Sequence, residues 1–181
     1  MLKMATTLTC ALLLGAGLMH VAPAQAGPTD TPLPTFSDGK PALSVYIAGG
    51  IIKNNNFETD FVCTNIDTVA VDIGLEVFDE TGALRNAIAA GSGAFLNVAP
   101  GKTVTVGTSG TAALHEDATV TFNLAGNGTP NLRNGSGRVV GTSKNLLCAA
   151  VVLDKLHTIQ DPAVSSLPPP PLASVALVKL P

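Results

Sequence analysis

The side chains in this sequence that have the chemistry for a reaction or a ligand are cysteines, histidines beside carboxylates, and acids scattered through turns. His115-Glu116-Asp117 sets one imidazole next to two carboxylates. Neighbours in extended chain point to opposite sides, and a metal would need a second histidine, so the run predicts an exposed turn leading into a strand at Thr119. His157 follows Asp154 by three residues, a spacing at which a carboxylate could orient an imidazole for proton transfer; a surface histidine after the last core strand is the expected reading. Ser92 and Ser136 lie in Gly-rich stretches without a Gly-x-Ser-x-Gly elbow or a neighbouring base, which argues against serine-hydrolase chemistry. Asp60, Asp79 and Glu80 offer oxygens to calcium, but no Asp-x-Asp loop is present and solvated turn acids are expected instead. No catalytic, cofactor-binding or metal-ligating residue is therefore expected, and no cofactor.

The cysteines carry more information. Lys3, the apolar stretch Leu8 to Met19 and the small-x-small site Ala24-Gln25-Ala26 read as a secretory signal peptide over residues 1–26, with Gly27 as the mature start. The apolar stretch is about a dozen residues where a spanning helix needs roughly 20, so no membrane span is expected after cleavage. Cys10 precedes most of that stretch, which argues against a lipoprotein. Export leaves Cys63 and Cys148. Two cysteines in an oxidising compartment usually pair, and closing so long a loop stabilises by about 4–5 kcal/mol on the chain-entropy model. Two buried thiols or one reactive cysteine are the alternatives, without a Cys-x-x-Cys signature to favour them. A blue-copper site would need two histidines and usually an axial methionine near one cysteine. All 3 methionines, Met1, Met4 and Met19, fall in the signal segment, so copper is not expected.

Composition narrows the partners. Removing residues 1–26 from 181 leaves one domain's worth of chain, enough for a single core. Loss of Lys3 takes the formal charge of −3 one unit further negative, only 13% of residues are charged, and the cations are scattered singly. Nucleic-acid binding needs clustered cations that release counterions, so that partner is rejected. With no Trp and Tyr46 the single tyrosine, stacking platforms for sugars or bases are not expected.

The elements that must position these residues read as strands. Gly27 to Pro41 holds Pro28, Pro32, Pro34 and Pro41 and predicts a leader or linker with no core of its own. From Leu43 onward the period becomes two: Val45 and Ile47 alternate with Ser44 and Tyr46, and Phe57, Thr59, Phe61 and Cys63 with Glu58, Asp60 and Thr64. Asn54 to Asn56 joins these two strands. Val69 to Phe78 places Val69, Val71, Ile73, Leu75 and Val77 on one face and Asp72 and Glu76 on the other. Asp79-Glu80-Thr81-Gly82 supplies a turn that predicts a hairpin returning through Ala83 to Ile88. Further strands are expected at Phe95 to Val98, Lys102 to Gly107, Thr119 to Leu124, Arg138 to Ser143 and, apolar on both faces, Leu146 to Leu153. Gly126 to Gly137 reads as a long surface loop, and its Asn127-Gly128-Thr129 and Asn134-Gly135-Ser136 match a glycosylation sequon at a chance frequency. The expectation is an all-β domain over 42–160, an antiparallel β-sandwich, Ig-like in general arrangement. Residues 161–181 read as a stiff linker through Pro168 to Pro171 and a last strand, Ala173 to Leu180, docked on its own domain or on a neighbour.

Cys63-Thr64-Asn65, Val77-Phe78-Asp79 with Gly82, Ala99-Pro100-Gly101, and Ser143 with Leu147-Cys148-Ala149 together resemble a group of uncharacterised secreted bacterial β-sandwich proteins over roughly residues 57 to 155. The resemblance implies a bacterial exported sandwich with paired cysteines and brings no catalytic residue. The expected function is that of a non-enzymatic module, secreted or periplasmic, binding an unknown protein or envelope component or serving a structural role. One alternative is a surface assembly in which Ala173 to Leu180 completes a neighbour's sheet, as in chaperone-usher pilins, though the cysteine spacing and proline spacer depart from that pattern. The other is a hydrolase using His115 or His157.

Overall fold

A computed structural model describes residues 27–54, 57–110, 115–122, 131–154 and 172–181. The signal segment, His157, Asn127-Gly128-Thr129 and Pro168 to Pro171 lie outside the described residues. Among the described residues ten strands follow one another: β1 (Leu43–Lys53), β2 (Phe57–Asn65), β3 (Val71–Phe78), β4 (Ala94–Val98), β5 (Thr103–Gly107), β6 (Ala118–Thr119), β7 (Leu132–Gly141), β8 (Leu146–Asp154), β9 (Leu172–Val175) and β10 (Leu177–Lys179). They form two five-stranded sheets, in the orders β10-β1-β7-β3-β4 and β6-β5-β2-β8-β9. Every strand pairing is antiparallel except the short parallel contact of β6 with β5. The fold is thus the β-sandwich that the period-two pattern predicts. Among the described residues no helix is long and apolar enough to cross a membrane.

Alternation builds the core. Val71, Ile73, Leu75 and Val77 of β3 join Val45, Ile51, Phe61, Val104, Val139 and Leu146 in one buried cluster between the sheets. Burying each such side chain contributes about 1.5–3 kcal/mol before chain entropy is charged against it. The Tyr46 hydroxyl crosses the gap, donating a 2.7 Å bond to the carbonyl of Leu146 in the other sheet. Cys63 and Cys148 are bonded to each other. They stand directly opposite in the β2–β8 register with Cα atoms 4.2 Å apart, so the bridge joins neighbouring strands of one sheet instead of the two ends of the sandwich.

The largest departure from the sequence pattern is the leader. Asp72 and Glu76 were expected to face solvent, yet both are buried, and every residue of β3 is. Residues 27–42 are what covers them. Phe36 is 2% exposed and packs with Ala42, Ile88 and Val140 in a second apolar cluster. Gly74 makes room for it, because a Cβ there would stand 2.8 Å from Ile88 Cδ1 and 3.3 Å from Phe36 Cε1. Arg138, also buried, donates to the carbonyls of Pro28, Thr31 and Pro32 and pairs with Glu76, while Lys40 pairs with Asp72 at 2.9 Å. Prolines leave carbonyls without competing N–H groups, and a buried guanidinium with five donors uses them. The leader is part of the domain.

Other segments also differ. The expected loop Gly126 to Gly137 is in its described part the start of β7, the middle strand of its sheet. Gly135 and Gly137 mark close approach there, since a Cβ would meet the Phe78 carbonyl at 2.7 Å and Phe61 Cζ at 3.0 Å respectively. Asp79 to Gly82 turns as expected, but the returning chain makes only an isolated bridge, Phe78 to Leu84, before a 3-10 turn at Ile88–Ala90, so no hairpin strand forms. Val69 lies outside β3 and is 60% exposed. β8 is interior to its sheet but not covered on both faces, because Leu147 is 62% exposed. Of the strand expected at Thr119 to Leu124, Thr119 alone among the described residues lies in a strand, the two-residue β6, and residues 123 and 124 lie outside the described residues. The C-terminal segment docks on its own domain: β9 pairs with β8 and β10 with β1, so it closes one edge of each sheet.

Candidate functional site

Glu58 and Asp60 are two residues apart in β2 and share one face. This is the face turned away from Phe61 and Cys63, which join the core. The outward position predicts solvation; instead both acids are fully buried. Beside them stand residues on either side of the connection after β5: Ser109, whose carbonyl approaches Gly107 together with Asp60, and Glu116. Ser109 is preceded by Thr108, whose N–H donates to the Thr59 carbonyl and whose hydroxyl accepts from Thr59 N at 2.9 Å and donates to the Ile52 carbonyl. Glu116 is followed by Asp117, which accepts from Thr105 N at 2.8 Å and donates its own N–H to the Thr105 carbonyl. One carboxylate oxygen each from Glu58, Asp60 and Glu116 lies within 4.8 Å of the other two.

Gly107 faces Asp60 in the β2–β5 register. A Cβ on it would come within 2.6 Å of both Asp60 Oδ1 and the Ser109 carbonyl, and 3.2 Å from Glu116 Cγ. The glycine therefore keeps open the space between these oxygens. Both Asp60 oxygens are buried and accept no hydrogen bond among the described residues. Burial pushes the Asp60 carboxyl up to about 8, and the charges of Glu58 and Glu116 push the same way. A buried carboxylate facing two others is costly unless a proton or a cation enters between them. Hard oxygen donors alone suit a hard cation and offer nothing to soft metals.

The residues singled out in the sequence fall elsewhere. His115 is 92% exposed at its side chain and lies 3.9 Å from Asp117, so the His115-Glu116-Asp117 run divides three ways, to solvent, to the acid cluster and to the β5 backbone. Glu116 belongs to the cluster and was passed over as a turn residue. Asp79 accepts from Thr81 N and Oγ and from Ala83 N and pairs with Arg85, which makes it the organiser of its own turn. It does not join Asp60, and neither does exposed Glu80. Ser92 exchanges hydrogen bonds with the backbone of Thr121. Ser136 sits in β7, paired to β1 and β3. Asp154 is buried at the end of β8. Glu58-x-Asp60, two acids on one face of an expected strand, was the signal available in the sequence. No family model, curated protein or solved structure matches this chain.

Proposed function

We propose that the protein is an exported, non-catalytic β-sandwich, Ig-like in its general arrangement, that acts in the periplasm or outside the cell by binding or structural association. The observation that carries this reading is the Cys63–Cys148 bond, a cross-link that persists where thiols are not kept reduced. The signal-like residues 1–26 support it independently. Leader and tail alike are spent on completing the scaffold, and His115, Ser92 and Ser136 stand apart in it, which favours a binding or structural module over a hydrolase. The resemblance to uncharacterised exported sandwich proteins is part of the same proposal, as is an envelope component as partner. Cell fractionation with N-terminal sequencing tests it. Protein beginning at Gly27, outside the cytoplasm and with no free thiol, is expected; cytoplasmic protein with two free thiols contradicts it.

Strand exchange is a second reading, favoured by the way β9 and β10 lie on sheet edges that another copy's tail could equally occupy. Size-exclusion of the protein with and without residues 172–181 separates the two. Oligomers that vanish with the tail support exchange, and a monomer in both forms excludes it.

A further inference from the structure

We propose that Glu58, Asp60 and Glu116, with the Ser109 carbonyl beside them, bind one hard divalent cation, Ca2+ by preference. The carboxylate oxygens lie within 4.8 Å of one another, a separation that Ca–O bonds of about 2.3–2.6 Å can span without moving the backbone. A cluster of acids alone would say little, but Asp60 adds an independent fact. Its side chain is fully buried, it points into the cluster, and neither oxygen accepts a hydrogen bond among the described residues. The lone pairs of that carboxylate are therefore available to an ion where solvent does not reach them.

The opening over Gly107 places Asp60 Oδ1 and the Ser109 carbonyl around one space, and so adds a carbonyl oxygen to three carboxyl ones. Mixed carboxylate and carbonyl donors in irregular geometry are what Ca2+ accepts, whereas Mg2+ demands a near-ideal octahedron and sheds its waters reluctantly. Zinc and copper are disfavoured because the set has no nitrogen or sulfur: His115 faces solvent and both cysteines are bonded to each other. A bound cation would also join the β2 acids to Ser109 and Glu116, whose neighbours Thr108 and Asp117 are hydrogen-bonded to the sheet. This inference does not depend on where the protein resides, but an extracytoplasmic location would supply Ca2+ at the roughly 10⁻⁴–10⁻³ M at which such modules bind it.

The test is calorimetric titration of chelator-stripped protein with CaCl2 at pH 7.5, with thermal unfolding in CaCl2 and in MgCl2 alongside. One Ca2+ per chain is expected, with a Kd of about 10⁻⁴–10⁻³ M and Mg2+ at least about tenfold weaker. The unfolding midpoint should rise by about 5 °C or more in saturating CaCl2. Asp60→Asn and Glu116→Gln should each weaken binding at least about tenfold, and Gly107→Ala should do the same by filling the space. Asp79→Asn, in a separate turn, should leave binding unchanged. Glu116 lies outside β2 and is only half-buried, so Glu116→Gln gives the reading even if Asp60→Asn does not fold. Absence of saturable heat together with an unmoved midpoint in wild type overturns the proposal, and points to a proton held between the acids. Binding that survives both Asp60→Asn and Glu116→Gln overturns it equally.

Discussion

Glu76 and Arg138 face each other across β3 and β7, with Arg138 Nη2 2.6 Å and Nε 2.7 Å from Glu76 Oε2, and the pair is closed off from solvent by the proline-rich residues 27–32. Burial pushes the Glu76 carboxyl up, and Arg138 opposes that by favouring its charged form. The three carbonyls from Pro28, Thr31 and Pro32 take up the donors that Glu76 does not, so the guanidinium both neutralises one buried acid and fastens the N-terminal segment.

Breaking this arrangement from one side should be severe. Arg138→Ala strips Glu76 of its buried partner, so the acid must stay charged in the interior or take up a proton, and a loss of about 3–5 kcal/mol is expected. Replacing both partners, Arg138→Met with Glu76→Leu, should recover most of that loss, because two apolar groups need no partner. Urea denaturation measures both. Limited proteolysis should cut within residues 27–42 in either variant, since the fastening is lost even when stability returns.

The disulfide closes a separation of 85 residues between strands already in register. Cys63→Ala with Cys148→Ala should fold to the same sheet order and lose about 2–5 kcal/mol. Non-reducing mass spectrometry of the wild type should find no free thiol, and chemical denaturation of the double variant gives the loss.

Acid should loosen the turn after β3. Partial burial works to raise the Asp79 carboxyl, but the Thr81 hydroxyl, the N–H groups of Ala83 and Thr81 and the Arg85 charge outweigh it and hold the group below its ordinary value of 3.8. A carboxyl whose folded value is depressed stabilises fully above its unfolded value and loses that contribution as pH falls through the folded one. The stability of wild type should therefore decline below about pH 4, and Asp79→Asn should remove that part of the slope while costing about 1 kcal/mol at neutral pH. Denaturant midpoints between acid and neutral pH give the comparison.

Much of the sandwich was legible because its inner faces obey a period of two. Val71, Ile73, Leu75 and Val77 announce β3, and Cys63 and Cys148 announce their bond as the two cysteines left outside the expected signal segment. What alternation does not report is a cover supplied from far along the chain. Asp72, Glu76 and Arg138 look like solvent-facing residues until Phe36, Lys40 and the prolines fold over them. Gly135 and Gly137 look like loop residues, because the pattern carries no record of the side chains from other strands that need their space. The acid site was hidden for the same reason. Glu58 and Asp60 follow the alternation faithfully, but Glu116 reaches them from far along the chain, placed by the neighbouring Asp117 bonded to the β5 backbone.

Diffraction from crystals grown in CaCl2 tests the cation site most directly. A single strong difference peak about 2.3–2.6 Å from oxygens of Glu58, Asp60 and Glu116, absent from crystals grown with chelator, is the predicted result. A site that stays empty in crystals grown in CaCl2 would contradict it.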